Sequence, residues 1–552
     1  MDVARRNLCL PNRPYSITLR LKLAAAYRSL GYPDLAAGEA YKALLLIDEV
    51  MEEGEYHDAA MEAAKTDITS GEAIAALDRT VGVDQEAIVW ARICWSQRSY
   101  SFLVGCLIDC GCLRSAFDYN SRALRLFPSS MFFQLSQKTL VAKVRSYFES
   151  KGEIFEHVDV LDYPDNGLVR QELYPWNNHE PDRFSSEGLL FLNTEMTRIA
   201  PKLEVQVTNL PILSLKQNTN GGPPPPDQEL RHIQQLGVFA KEDISPGELI
   251  LQEKSILTSV SRLHESFCDA CSASLPITRG NGVEFHEGAV TISCENCDDV
   301  FFCSAECWDL AQVKYHPALC GASIDPGKVP ASEAADSLYS LLLIRTLAMA
   351  ETQDIHPLDL VEVKYIWGDY HGLDLDQTWE VDLQGRLLDS FGSVPPTLPF
   401  SFNGNILMPL HMLEKMGVNI FEQSHRYDLW VFNTLYAKFR GTASARQGLD
   451  GRPEIGAVHP MWCLANHSCD PNVTWEWQGS MRFWTRQELV QWKGRDPEHK
   501  PGIRKGEEVL SHYCDVTLPV RERREWAIGA LGGDCVCPRC MWEEAERRGE
   551  TA

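Results

Sequence analysis

The segment from Cys268 to Cys320 constrains this chain more than any other, because it holds eight soft metal ligands in four close pairs. They are Cys268-x2-Cys271, Cys294-x2-Cys297, Cys303-x3-Cys307 and His316-x3-Cys320. Zn2+ prefers four thiolate or imidazole ligands in a tetrahedron, and each close pair supplies two corners from a knuckle or one turn of helix. Two pairs therefore complete a site. The stretches between the pairs are too short to build an apolar core of their own, so bound metal must supply much of their folding free energy. Buried unligated thiols would call for apolar neighbours. Instead Asp269, Glu295, Asn296, Asp298 and Asp299 crowd these pairs. The chain carries 18 cysteines and no visible secretory signal, which favours reduced, metal-bound thiols over disulfides.

Charge narrows the partners. With 552 residues there is room for three or four domains of roughly 150 residues each. The formal net charge of -25 repels nucleic acid phosphates unless basic residues gather locally. The nearest basic run, Arg521-Glu522-Arg523-Arg524, reads as a solvated helix face. No direct nucleic acid binding is expected, and an acidic surface suits a basic protein substrate. Arg5 and Arg6 precede a broken apolar stretch, which is not a signal peptide. The apolar run Leu341 to Ile344 meets Arg345 at once, and no membrane span is expected.

Residues 1–150 have a helical pattern with two self-similar stretches, in which Gly31 precedes Ala43 by twelve positions and Gly111 precedes Ala123 by twelve. The pattern fits helix-turn-helix units, with Gly where two helices cross and a small Ala letting the second pack on the first. These stretches resemble tetratricopeptide (TPR) repeats; a generic helical hairpin domain would give the same spacing. Residues 151–215 read as an ordered connecting region, with an amphipathic helix from about Ser186 to Ala200. Residues 216–228, containing Asn220-Gly221-Gly222 and Pro223 to Pro226, can form neither helix nor interior strand and read as a linker at a domain boundary. Beyond it, Val238-Phe239-Ala240 and Leu249-Ile250-Leu251 flank the turn Ser245-Pro246-Gly247. A helical stretch runs from about 331 to 440. Val473, Trp475 and Trp477 then alternate with polar residues, Gln478-Gly479-Ser480 makes a turn, and Met481 to Trp484 reads as the return strand.

Asn466-His467-Ser468-Cys469-Asp470-Pro471-Asn472 resembles the signature of SET-domain lysine methyltransferases. Leu236-Gly237-Val238-Phe239-Ala240 and Ile244-Ser245-Pro246-Gly247-Glu248 look like its opening strands, and Gly506-Glu507-Glu508-Val509 leads to Tyr513 as in that family. Phe302-Cys303-Ser304-Ala305-Glu306-Cys307-Trp308 with His316-x3-Cys320 looks like a MYND zinc finger, and Cys535-x-Cys537-x2-Cys540 like a post-SET zinc segment. A MYND finger inserted into a SET domain is the arrangement of the SMYD methyltransferases. The resemblance implies an α+β multidomain chain, with a TPR-like helical repeat domain followed by a β-rich SET fold that a MYND finger and a helical insert interrupt. The implied segments are 229–267 for the SET N-terminal part, 268–320 for the finger, 321–455 for the helical insert, 456–520 for the catalytic core and 521–552 for the post-SET tail.

It also implies chemistry. S-adenosylmethionine would be the methyl donor, contacted by Gly237, Asn433, Cys463, Asn466, His467 and Tyr513. Tyr513 would orient the amine or the transferring methyl. In the family the zinc ligands interleave, giving Cys268, Cys271, Cys303 and Cys307 on one ion and Cys294, Cys297, His316 and Cys320 on another. Cys469 would join Cys535, Cys537 and Cys540 on a third. The substrate would be a lysine of a histone or other protein, with further protein partners on the TPR-like repeats and the finger, in nucleus or cytoplasm. A free lysine has a pKa of about 10.4, so such a site must favour the neutral amine by desolvation and by the adjacent sulfonium cation. The chain departs from the family at Gln235, where a glycine is common, and at Leu531 and Gly533, where aromatic residues often close the lysine channel. A catalytically inactive adaptor recruiting protein partners is the alternative reading. A methyltransferase acting on a group other than lysine is a third. Cys9, Cys94, Cys106, Cys110, Cys112 and Cys514 read as core thiols.

Overall fold

The computed structural model describes residues 10–70, 83–171, 173–211, 213, 232–261, 266–275, 291–297, 300–322, 334–367, 380–381, 387–388, 397–448, 453–531 and 533–549. The chain divides into two compact units, Met1–Trp176 with Thr397–Thr434, and Asn177–Pro396 with Leu435–Ala552.

The first unit is built on helices, among them Ile17–Ser29, Pro33–Met51, Ser96–Cys110, Leu113–Leu126 and Met131–Ser150. Ser16 caps the first by accepting the Leu19 N–H, and Pro33 opens the second, where its missing N–H is no loss. Ala36, Ala40, Ala43, Ala116 and Ala123 are fully buried, so small side chains let these helices approach closely. Gly31 and Gly111 do a different job from the one their spacing suggested. Their φ angles of +81° and +84° place them in the left-handed turns that end helices, not at a crossing. The stretch Thr397–Thr434, grouped by sequence with the insert 321–455, packs here instead. Strand Thr397–Ser401 pairs antiparallel with Asn166–Arg170, and Asp428 joins a buried charge quartet. In that quartet Arg20 meets Glu39 at 3.0 Å, and Lys42 meets both Glu39 and Asp428 at 2.9 Å. Two acids balance two bases, which is what allows all four to be buried.

The second unit corrects the expected boundary at the Pro/Gly linker, which itself lies outside the described residues. The strands on either side of it, Leu203–Pro211 and His232–Ala240, pair antiparallel from Leu203↔Ala240 to Pro211↔His232. Helix Ser186–Ile199 covers them, and Leu192, Met196 and Val205 share one apolar core with Leu236, Val238, Val473 and Phe483. The described flanks of the linker therefore lie in one sheet. Composition marks a loop; it does not say whether the loop joins domains or strands. Two small sheets follow, ordered Val473–Trp477, Met481–Thr485, Leu249–Glu253 and Ala443–Gln447, Pro453–Val458, Thr258–Val260. The Val473–Trp477 hairpin turns at Gly479, whose φ of +67° suits glycine. Helix Ala334–Gln353 packs along the second sheet, with Leu338 and Leu342 filling the space over Gly456.

Candidate active site and metal centres

The folded chain gathers the twelve candidate zinc ligands into three groups of four, Cys268/Cys271/Cys303/Cys307, Cys294/Cys297/His316/Cys320 and Cys469/Cys535/Cys537/Cys540. Within each group the ligand atoms all lie within 4.8 Å of one another. The Sγ–Sγ separations are 3.7 Å for Cys271–Cys303, 3.6 Å for Cys303–Cys307, 3.8 Å for Cys294–Cys320 and 4.0 Å for Cys469–Cys535. Four sulfurs at about 2.3 Å from one zinc ion stand about 3.8 Å apart along the edges of the tetrahedron. These distances fit a metal tetrahedron and are far too long for disulfides. A further grouping, His179, His356 and Asp359, fits an ion poorly. Its two imidazoles stack at 3.8 Å and 5° between planes, so one ion cannot lie in the plane of both, and Lys364 shares the carboxylate.

Buried arginines hold these groups in place, and no spacing rule pointed to them. Arg345, on helix Ala334–Gln353, is 1% exposed; it donates to the Asp269 carbonyl and carboxylate at 2.9 and 3.0 Å and lies over the Tyr315 ring. Tyr315 donates to the same carboxylate at 2.6 Å. Asp269 stands between Cys268 and Cys271, and Tyr315 precedes His316, so one network touches both groups of the finger. Around the third group, Arg523 is fully buried and donates to Cys540 Sγ at 3.4 Å and to Glu543, which corrects its reading as part of a solvated face. Arg539 donates to the Cys469 carbonyl and Arg524 to that of Cys535. Four thiolates on one Zn2+ leave a net charge of -2, which buried guanidinium groups offset.

The Asn466–Asn472 segment lies beside Ser511–Tyr513. Ser511 N–H donates to the Asn466 carbonyl and Ser468 N–H to the Ser511 carbonyl, both at 2.8 Å. Asn472 clasps the neighbouring segment, its amide donating to the Glu508 carbonyl at 2.7 Å and accepting the Leu510 N–H at 2.8 Å. His467 Nδ1 accepts the Tyr513 N–H at 3.0 Å, which leaves the ring proton on Nε2, 3.3 Å from Cys469 Sγ. Burial pushes the imidazole pKa down to about 4, in keeping with a neutral ring. The His467 side chain thus ties the motif to the third metal group. Tyr513 donates its hydroxyl proton to the Ala465 carbonyl at 2.9 Å, so its oxygen can only accept further hydrogen bonds.

Gly237 stands directly across from Asn466. A β-carbon on it would lie 2.5 Å from Glu508 Oε1 and 3.1 Å from Asn466 Nδ2. The absent side chain makes room for these two residues. Glu253, which sequence reasoning missed, accepts the backbone N–H groups of Met461 and Trp462 at 3.1 and 2.9 Å, holding the turn Trp462–Leu464 that leads into Asn466. Burial, partly offset by those two bonds, pushes its pKa up to about 7. In that turn Cys463 donates its thiol to the Thr442 carbonyl at 3.3 Å. Asn433 belongs to the first unit, where its buried amide donates to Asp34 at 2.8 Å and Tyr174 at 3.3 Å and accepts from Asn405. Its side chain is hydrogen-bonded within that unit. Where an aromatic residue was missed at Gly533, the Leu213 carbonyl would lie 2.6 Å from a β-carbon, so packing leaves no room for one. Leu531 packs on the third cysteine group, and the His512 ring stacks on Trp475.

Residues 235–491 match the family model of the SET domain. The match begins in strand His232–Ala240 and takes in Asn466 to Asn472. Two curated proteins are similar to parts of the chain. A SET and MYND domain-containing protein of Dictyostelium discoideum is 27% identical over 100 residues, 18% of this chain and 17% of that protein. A potential protein lysine methyltransferase of Saccharomyces cerevisiae is 27% identical over 140 residues, 25% of this chain and 32% of that protein. The chain spans about a third or less of the length of each of these relatives.

Proposed function

We propose that the chain is a protein-lysine N-methyltransferase that uses S-adenosylmethionine, with three zinc ions as structural supports. The observation that carries this reading is that Asn466, beside Gly237, and Tyr513 have their donor hydrogens spent within the chain. The Tyr513 oxygen has its proton held by Ala465, and the Asn466 amide nitrogen is spent on Leu236 and Glu508. Oxygens that can only accept suit N–H and polarised C–H donors, which the cofactor and a neutral lysine amine both offer.

When bound, S-adenosylmethionine supplies an activated methyl group on a sulfonium centre. Gly237, Asn466 and the backbone around His467 would bind and orient it. Tyr513 would accept a hydrogen bond from the incoming amine and align it, a positioning role that can account for a large part of the rate. The net charge of -25 suits a basic segment such as a histone tail as substrate. The helical first unit, read as TPR-like repeats, and the MYND-like finger would recruit protein partners in nucleus or cytoplasm.

Calorimetry with S-adenosylmethionine tests the reading. The wild type should bind and the Asn466→Ala variant should bind far more weakly; no binding by the zinc-loaded wild type sinks the enzyme. In a methyl-transfer assay Tyr513→Phe should lose turnover while keeping cofactor affinity, and unchanged turnover would show that Tyr513 has another role.

A further inference from the structure

The two ends of an asparagine amide are nearly the same size but opposite in hydrogen bonding, so a site must fix which end meets its ligand. At Asn466 the surroundings decide this. Its Nδ2 carries two hydrogens; one points to the Leu236 carbonyl at 3.0 Å and the other to Glu508 Oε1 at 2.7 Å. Both partners are acceptors. Turning the amide over would set its oxygen against two oxygens and lose both bonds.

Glu508 is built into that position. Its segment is held by Val509 N–H donating to the Val238 carbonyl at 2.7 Å and by the Asn472 clasp on the Glu508 carbonyl. Its carboxylate lies over Gly237, where any β-carbon would displace it. Glu508 makes no ion pair among the described residues, and burial raises its pKa while the Asn466 bond opposes that rise. A carboxylate kept partly buried without a cation is costly unless its hydrogen bonds have a use.

We propose that Glu508 is a positioning residue that locks the Asn466 amide with its oxygen turned to the ligand, so that the site selects a ligand N–H donor at that point. This rests on the reading of the site as one for S-adenosylmethionine, which offers two such donors, the α-ammonium and the adenine amino group. Glu508 acts through Asn466.

The test compares three probes on the zinc-loaded full chain: S-adenosylmethionine, its analogue lacking the α-ammonium group, and its analogue lacking the adenine amino group. In the wild type one analogue should bind roughly tenfold or more weakly than the parent, as expected when a buried acceptor loses its donor. In Glu508→Leu that ratio should fall towards one. A purely structural role would weaken all three probes in proportion and leave the ratio unchanged, which overturns the proposal. So does a wild type that fails to discriminate against either analogue. Glu508→Ala removes the same acceptor with a smaller side chain, so it carries the test if Glu508→Leu loses its zinc and does not fold; an unchanged ratio in Glu508→Ala then refutes the proposal. A wild type that binds none of the probes removes the methyltransferase reading itself, a result distinct from bound probes with an unchanged ratio.

Discussion

Glu253 gives the chain a pH-dependent stability whose size and sign can be worked out. It is 7% exposed, and its pKa rises from an ordinary 4.5 to about 7 because burial penalises the charged carboxylate. Between these values the folded chain holds a proton that the unfolded chain has released. Stability then falls as pH rises, because the folded state binds more protons than the unfolded one. Two and a half pH units at about 1.4 kcal/mol each give a loss of about 3 kcal/mol between pH 4.5 and 7, an upper bound because relaxation of the site would lessen it. Glu253→Gln supplies the reference, since an amide titrates in neither state. Urea unfolding of the zinc-loaded wild type and variant across this range cancels the titration of all other groups in the difference. That difference should decline as pH rises and level off above about pH 7. A flat or rising difference would falsify the assignment. Because Glu253 also holds the turn before Asn466, the variant should weaken S-adenosylmethionine binding above about pH 7, where the wild-type carboxylate is charged and accepts two N–H groups and an amide can accept only one without turning its own N–H toward the other.

Other consequences can be checked separately. Metal analysis should return three zinc ions per chain from the three four-ligand groups, and a strong chelator should unfold the Cys268–Cys320 segment and the tail. Arg345→Met leaves the Asp269 carboxylate without its buried cation, at a cost of about 3–5 kcal/mol. Chelator-driven release of two ions should speed up and the third should be unchanged, while equal loosening of all three would refute the network at Tyr315. Arg523→Met should reverse the pattern, freeing the third ion first, with release followed by a metal-sensitive dye. Gly237→Ala places a β-carbon 2.5 Å from Glu508 Oε1, so it should weaken cofactor binding at a stability cost of about 1–3 kcal/mol, as overpacking typically does. Unchanged affinity in Gly237→Ala would show that the carboxylate can move without consequence.

Much of this protein is set by residues that act over short spans, and those parts were legible in the sequence. Paired cysteines a few positions apart must fold as knuckles or helical turns, so spacing anticipates the pairs while their grouping in fours came from the family resemblance, and the strand alternation around Gly479 pointed to a hairpin. The Asn466–Asn472 motif and Tyr513 stand out in the sequence by their resemblance to a known signature, and the fold sets them side by side. What tertiary structure alone decided depends on contacts between residues far apart in the chain. Arg523 looks solvated in its own helix, yet it is buried because Cys540 and Glu543 come to it. Asn433 stands in a family-like motif, and only folding shows that Asp34 and Tyr174 accept its amide hydrogens. The Pro/Gly run looked like a boundary because composition reports local stiffness and says nothing of the strands that pair on either side. Glu253 and Glu508 carry no motif; their roles appear only when a buried carboxylate is seen to accept the backbone of one turn and the side chain of one asparagine.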